Sequence, residues 1–387
     1  MDSVSLRGFT GPIISPAFPL GIPPLPVITP PRCTYPRSGG DYLKKLKLLL
    51  SAAVLAAILV RPEDSVAGAQ RAMLLWCTSV APSLFPFLAL MPVLTGSEAC
   101  RAYNKIFSGL MGRLFHLPGS AAPAVVIGMI AGSPGGAIAV RRVSAETGMK
   151  NTDARRLALA LTGLSPAYLV LGVGCGLYGS AQMGWKLAAI QAFIQIALLI
   201  CLQGFDLGDG APVDIQESSR TGGMLGAVES VLVICGYMVF FSAIASVLAG
   251  FLGYLPGALL LLAMDLPSGL AELARVDIPA RELLQCMGIG LGGLCIAAQN
   301  MDVMREIGVK AGDYLCVRCI AAALFACIGA IVLRNSPSMP GTAPNSAPAY
   351  VISMFFAGAM AIPGIFFLSK NMILNKSKFA KNGAGTD

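Results

Sequence analysis

Residues 121–140 read AAPAVVIGMIAGSPGGAIAV, an uncharged stretch split near its middle by Gly132-Ser133-Pro134-Gly135-Gly136 and followed at once by Arg141 and Arg142. A run of about 20 apolar residues is long enough to cross a hydrocarbon layer about 30 Å thick as one helix. The break argues for a different path. Pro134 removes a backbone donor and the paired glycines favour a turn, so the stretch predicts two arms of about ten residues, each about 15 Å long. Such a hairpin dips to the middle of the membrane and returns to the side it came from. If the stretch crossed instead, the basic cluster Arg141, Arg142, Lys150, Arg155 and Arg156 would lie outside. Re-entry puts that cluster in the cytoplasm with Arg101, Lys105 and Arg113, as the positive-inside rule requires.

A second stretch, 254–274, has the same design. Leu117-Pro118-Gly119 opens the first hairpin and Leu255-Pro256-Gly257 the second, whose tip reads Asp265-Leu266-Pro267-Ser268-Gly269. A helix rich in small residues follows each, carrying Thr162-Gly163-Leu164-Ser165-Pro166 in one case and Gly290-Leu291-Gly292-Gly293-Leu294 in the other. Charge placement makes the second hairpin enter from the opposite face, so the units are inverted. Repeat one covers about 72–203 and repeat two about 224–333, within a membrane transport domain of residues 42–375. Inverted repeats with discontinuous helices are a transporter signature, with the binding site near the midplane.

Composition agrees. The 387 residues are 55% hydrophobic and 12% charged, against roughly 25% charged in soluble domains, with a mean hydropathy of +0.72. An ordinary water-soluble enzyme is excluded. The fold class is all-α, a polytopic membrane protein with about eight transmembrane helices plus the two re-entrant hairpins. Expected segments besides the hairpins are 72–95, 157–180, 184–203, 224–250, 282–300, 312–333 and 349–369. They follow a first span or signal anchor that begins behind Lys44, Lys45 and Lys47 and ends near Val60. Residues 1–41, rich in proline, and the basic residues 376–387 read as disordered tails, both cytoplasmic, and 335–349 as a loop. The net charge of +8 sets orientation and implies no nucleic acid.

Metal, cofactor and enzyme chemistry find little support. Most of the 11 cysteines sit in apolar segments, where a thiol behaves as a small hydrophobe. Cys316 and Cys319 form a C-x-x-C with no second ligand pair, and His116 is the sole histidine. No cofactor, metal site or nucleophile with a base is expected.

The breaks mark the candidate site. In lipid, a broken helix leaves backbone groups that only protein, water or ligand can satisfy. The substrate-binding candidates are therefore Gly132, Ser133, Pro134, Gly135, Gly136, Ser165, Pro166, Tyr168, Asp265, Ser268, Gly292, Gly293 and Gln299. Ser133 before Pro134 and Ser165 before Pro166 match an N-cap serine followed by proline at the first helical position. Helix starts of this kind favour an anionic group, although Ser-Pro and Gly pairs also simply kink packed helices. Asp265 is read as a cavity-facing carboxylate, an ion-coupling group or a plain helix cap. Glu229 reads as solvated near the interface, Gln299 and Asn300 as a polar helix end or pathway lining, and Trp76, Trp185, Tyr168, Tyr178 and Tyr237 mainly as interfacial or packing aromatics.

With these motifs in view the chain, from about Met73 to Leu333, resembles the sporulation integral membrane protein YlbJ (SpoVV) family, within the nucleoside-recognition or Gate group. The resemblance rests on Ala81-Pro82-Ser83-Leu84-Phe85-Pro86-Phe87, on Gly132, Pro134, Gly136 and Ala137, on Gly236-Tyr237 to Phe241-Ser242, and on Gly292-Gly293-Leu294 with Gln299. Ile138 stands where the family usually has Lys, and Asp265 where Glu is common. The resemblance implies a carrier of dipicolinic acid, pyridine-2,6-dicarboxylate, across the outer forespore membrane during sporulation. In that reading a small anionic substrate sets its carboxylates against two half-helix starts, with Tyr168 available to its ring. A nucleoside or other small-solute carrier, and a sporulation membrane assembly protein without transport, are the alternatives. The partners are the small-molecule substrate, the lipid bilayer and a coupling ion of unassigned identity.

Overall fold

The computed structural model describes residues 40–205 and 223–334. The expected segment 349–369, the loop 335–349, the tail 376–387 and nearly all of the N-terminal tail lie outside these residues. Among the described residues all regular structure is helical. Contacts divide the chain into a unit ending at Ser51 and a compact unit from Ala52. Helix α1 (Gly40–Val60) occupies the stretch read as a first span or anchor, and everything below belongs to the second unit.

Helices α2 (Pro62–Leu75) and α3 (Ala81–Thr95) are joined through a wide turn of helix, Trp76–Val80. Pro62 opens α2, where its missing N–H costs nothing, whereas Pro86 and Pro92 lie inside α3. Helix α4 (Ser97–Phe115) stops at His116, which adopts the left-handed region at φ 51°. The chain from Gly119 to Ala131 then leaves at 96° to α4.

The first hairpin is α5 (Ala122–Ala131) and α6 (Gly135–Thr147). Helix α7 (Asn151–Ala160) follows, then a break, the wide helical stretch Tyr168–Cys175 with the short α8 (Gly176–Tyr178), and the long α9 (Ala181–Cys201). The second half has the same order. Helix α10 (Met224–Gly250) leads into the hairpin α11 (Tyr254–Met264) and α12 (Leu266–Ala274), the broken pair α13 (Arg281–Leu291) and α14 (Gly293–Met304), and the long α15 (Ala311–Arg334).

Both expected hairpins fold back on themselves. A Cβ placed on Gly136 would sit 3.2 Å from the Cα of Gly128, eight residues earlier in sequence, whereas a straight helix would separate the two by about 12 Å. In the second hairpin a Cβ on Gly269 would strike backbone atoms of Leu261 and Leu262. Glycine at these two positions lets the arms close.

Among the described residues four helices are long and apolar enough to cross a membrane: Ala181–Gly204, Met224–Gly250, Arg281–Ile307 and Ala311–Gly329. The bent pair Ser97–Phe115 and Gly119–Ala131 makes a fifth if it counts as one span. The sequence expectation of about eight includes the segment 349–369, which lies outside the described residues. Segment 157–180 is interrupted by a break after Ala160, whereas 72–95 runs through its wide turn as uninterrupted helix. Arg155 and Arg156 also differ from the loop charges expected of them: both are buried in α7. Arg156 donates from Nη2 to the Phe115 carbonyl at 2.7 Å and pairs with Asp153 at 3.5 Å, while Arg155 Nε donates to the Ile307 carbonyl at 3.2 Å. They anchor α7 against neighbouring helix ends.

Candidate functional site

The first tip turns at Gly132, where φ is +64°, ahead of a cis Ser133–Pro134 bond. Ser133 does not cap α6 as its place before a proline predicts. The Gly136 N–H is instead satisfied within the tip by the Gly132 carbonyl at 2.7 Å, and the residue preceding α6 is Pro134. This releases the serine hydroxyl, which donates to Asn300 Oδ1 at 2.8 Å across 167 residues of sequence. Asn300 is fully buried and passes the link to Tyr314 through Nδ2 at 3.0 Å. A hydrogen-bonded chain therefore ties the first tip to α14 and α15.

The break after α7 runs through Leu161 to Ser165. Ser165 caps the helix that follows, its Oγ accepting from the Tyr168 N–H at 3.2 Å, and Pro166 is the first residue of that helix. The Gly163 carbonyl accepts from the Ser133 N–H at 2.8 Å, which joins the tip to the break. Asp265 precedes α12 and is buried, with Oδ2 accepting from the Ser268 hydroxyl at 2.6 Å. Its backbone carbonyl accepts from the Gly269 N–H at 3.0 Å. Arg71 of α2 lies within electrostatic range of that carboxylate and donates to Ser246 Oγ at 2.9 Å.

Six of the sequence-predicted residues line one cavity: Ser133, Pro134, Ser165, Tyr168, Asp265 and Gln299. Both tips and the start of the first broken helix thus meet in a single pocket. Its other walls are mostly apolar and include Leu75, Val80, Leu84, Leu164, Leu171, Ile234 and Met238, and no lysine or arginine lines it. Gln299 also contacts Cys295, Nε2 to Sγ 3.2 Å. Gly132, Gly135, Gly136, Pro166, Ser268, Gly292 and Gly293 shape the breaks without lining the cavity.

The electrostatics follow from helix geometry. Three helices begin at the pocket: α6 behind Pro134, the helix behind Ser165 and α12 behind Asp265. Each presents the positive end of its dipole. At α12 the Asp265 carboxylate offsets that end, whereas at the other two only serine and proline stand before the helix.

Several residues that serve the site escape a sequence reading. Arg318, in the middle of α15, is buried and carries no carboxylate partner among the described residues. Its guanidinium donates to the Leu291 carbonyl at 3.1 Å and to the Gly290 carbonyl, both at the end of α13, and reaches Thr162 of the other break at 3.5 Å. Its one advance signal is position, an arginine in an otherwise apolar span. At the first break the side-chain amides of Gln191 and Gln195 of α9 face Gly163. Tyr178 donates to Gln285 at 2.7 Å, and Gln285 Nε2 reaches the Leu270 carbonyl at 3.4 Å, a second link between the halves. Trp76 is a packing residue, donating to the Val231 carbonyl at 3.0 Å, while Trp185 is exposed. Cys316 and Cys319 are free thiols.

The chain is similar to the sporulation integral membrane protein YlbJ of Bacillus subtilis (strain 168), with 26% identity over 167 residues, 42% of this chain and 41% of that protein. The match therefore spans about two fifths of the curated relative's length, and it falls in the family that the sequence motifs resemble. No family model matches the chain. No solved structure matches it. The apolar spans and this relative mark the chain as an integral membrane protein.

Proposed function

We propose that this relative of a sporulation membrane protein carries a small anionic metabolite across the membrane by exposing the pocket between the two tips alternately to either side. The observation that carries the reading is convergence: Ser133, Ser165 and Asp265, from three separate breaks, line one cavity. Two of the helix starts there face the cavity with no acidic residue before them, which suits carboxylate oxygens and needs no basic side chain. Dipicolinic acid is the proposed substrate and the outer forespore membrane the proposed location, with both termini cytoplasmic. It is a planar dianion with two carboxylates, and Tyr168 stands beside the same cavity for its ring.

A neutral solute such as a nucleoside is the second reading. One observation favours it: the ionisable carboxylate in the lining is Asp265, and no basic side chain lines the cavity to receive an anion. Reconstitution in proteoliposomes separates the two. Labelled dipicolinate should exchange across the membrane, unlabelled dicarboxylate should compete and uridine should not, and Ser165→Trp, which fills the pocket, should cut exchange by about tenfold or more while the protein still inserts. Exchange of uridine alone would establish the neutral carrier. Undiminished dipicolinate exchange in Ser165→Trp would remove the pocket from transport, and no exchange of either solute by the unmodified protein would favour a membrane assembly role.

A further inference from the structure

A second cavity adjoins the pocket. It is lined by Arg141, Arg142, Glu229, Ser230, Tyr237, Asp302 and Glu306, among others. The two cavities share Pro134, Ile234 and Gln299, which line both. These three residues therefore form the partition between an apolar pocket and a charged chamber, and they come from three elements: the first tip, α10 and α14.

The chamber differs in kind from the pocket. Arg141 and Arg142 stand against Glu229, Asp302 and Glu306, so its walls carry charges of both signs, and such side chains are kept where water reaches them. Arg141 spans the chamber to Glu306 at 2.8 Å, the two side chains 24% and 42% exposed. That ion pair joins the helix that starts behind Pro134 to the turn that ends the helix bearing Gln299. It thereby holds two of the three partition residues together.

We propose that Pro134, Ile234 and Gln299 form the gate between the solute pocket and a water-filled vestibule opening on the face that carries Arg141 and Arg142, with the Arg141–Glu306 pair as its clasp. The inference rests on the transport reading for its use, but not for its geometry. Opening the partition requires the first tip and α14 to part, and this stretches the clasp. Because the pair is partly exposed, it contributes on the scale of about 1 kcal/mol or less, so it biases the gate without locking it.

The test reads access rather than transport, so its outcome does not depend on the solute. Ala167 lines the pocket but not the vestibule, and Ser230 lines the vestibule but not the pocket. Ala167→Cys is placed in a chain whose 11 native cysteines, Cys295 of the same pocket included, are changed to serine. It is then treated with a membrane-impermeant maleimide in vesicles of each orientation. Labelling should proceed from the side of Arg142, should slow by about tenfold when Ser230→Trp plugs the vestibule, and should quicken when Arg141→Gln releases the clasp. Labelling from the opposite side only, or at an unchanged rate in Ser230→Trp, would overturn the gate. A full labelling pattern without dipicolinate exchange would instead leave the gate standing and remove the proposed substrate. Should Ser230→Trp fail to insert, the narrower Ser230→Leu gives the same readout with a smaller effect.

Discussion

The two halves of the molecule solve one problem with different chemistry. Each has a hairpin followed by a broken helix, and each break leaves backbone groups that lipid cannot satisfy. The first half relies mainly on neutral groups: its tip is Gly132-Ser133-Pro134, and at its break the Gly163 carbonyl accepts from the Ser133 N–H and the Ser165 hydroxyl from the Tyr168 N–H, with the amides of Gln191 and Gln195 facing Gly163 and Arg318 of the other half reaching Thr162. The second half uses full charges of both signs, Asp265 in the tip and Arg318 at the break. A guanidinium against the carbonyl end of α13 is well placed, since that end carries the negative pole of the helix dipole. Such a contact is strong and hard to exchange for another, whereas neutral amide and hydroxyl contacts are weaker and readily replaced. The second break is therefore expected to act as the fixed frame and the first as the part that rearranges.

The sharpest way to break that contrast is to remove the cation. Arg318→Leu orphans the Leu291 and Gly290 carbonyls at a site closed to water. Each buried carbonyl left unmade costs about 1–3 kcal/mol, and some of this is returned because the guanidinium no longer has to be desolvated. A net loss of about 3 kcal/mol should lower the thermal midpoint in detergent by roughly 5–10 °C. Arg318→Lys keeps the charge but loses the planar fork that reaches two carbonyls and Thr162, so it should recover only part of the loss. An unchanged midpoint in Arg318→Leu would mean that the break has other partners.

Next come the glycines that let the arms close. A side chain at Gly269 meets the backbone of Leu261 and Leu262, and one at Gly136 meets the Leu161 carbonyl and the Gly128 Cα. Backbone cannot swing aside as a side chain does, so Gly269→Val and Gly136→Val should each cost about 2 kcal/mol, read as loss of folded protein on size-exclusion chromatography after heating. Similar losses would show that the hairpins are structural equals despite their different tips. A loss confined to Gly269 would make the first hairpin the pliable one.

These hairpins were legible in the sequence because their signals are local. Proline with glycine within five residues, repeated at corresponding places, announces a turn. Ser165 was legible for the same reason, since a cap and its recipient N–H lie three residues apart. Ser133 carried the same local pattern and does something else, because its partner Asn300 is 167 residues away. The contacts of Arg318 are likewise set by tertiary packing: composition placed the charge in a span but did not indicate which carbonyls it meets. Segment 157–180 reads as a whole span because hydropathy averages over a window and does not register the break after Ala160.

Asp265 tests the electrostatic half of the contrast. If the pocket receives an anion, Asp265→Asn removes a repelling charge from the lining while its side-chain oxygen can still accept from Ser268. The apparent affinity for dipicolinate, from competition in exchange assays, should then tighten by about tenfold, or about 1.4 kcal/mol. A tenfold weakening would place the carboxylate in direct contact with a solute that donates hydrogen bonds, which is the neutral-carrier reading.

The smallest effect is expected at the neutral break. Gln191 Oε1 and Gln195 Nε2 are buried without a hydrogen-bond partner among the described residues, so these side chains bring polar atoms to Gly163 at a desolvation cost that no bond there offsets. Replacing a buried, unsatisfied amide by a hydrocarbon of similar size removes that cost. Gln195→Leu should therefore change the thermal midpoint by less than about 2 °C, or raise it, in contrast to the fall in Arg318→Leu. If the amides are instead held ready for the rearranging break, the same variant should leave the midpoint alone and slow exchange. Stability and exchange rate measured on one preparation thus separate filler from working part. A large drop in midpoint would show that the first break leans on its glutamines as heavily as the second leans on its arginine, and the two halves would then differ in charge but not in rigidity.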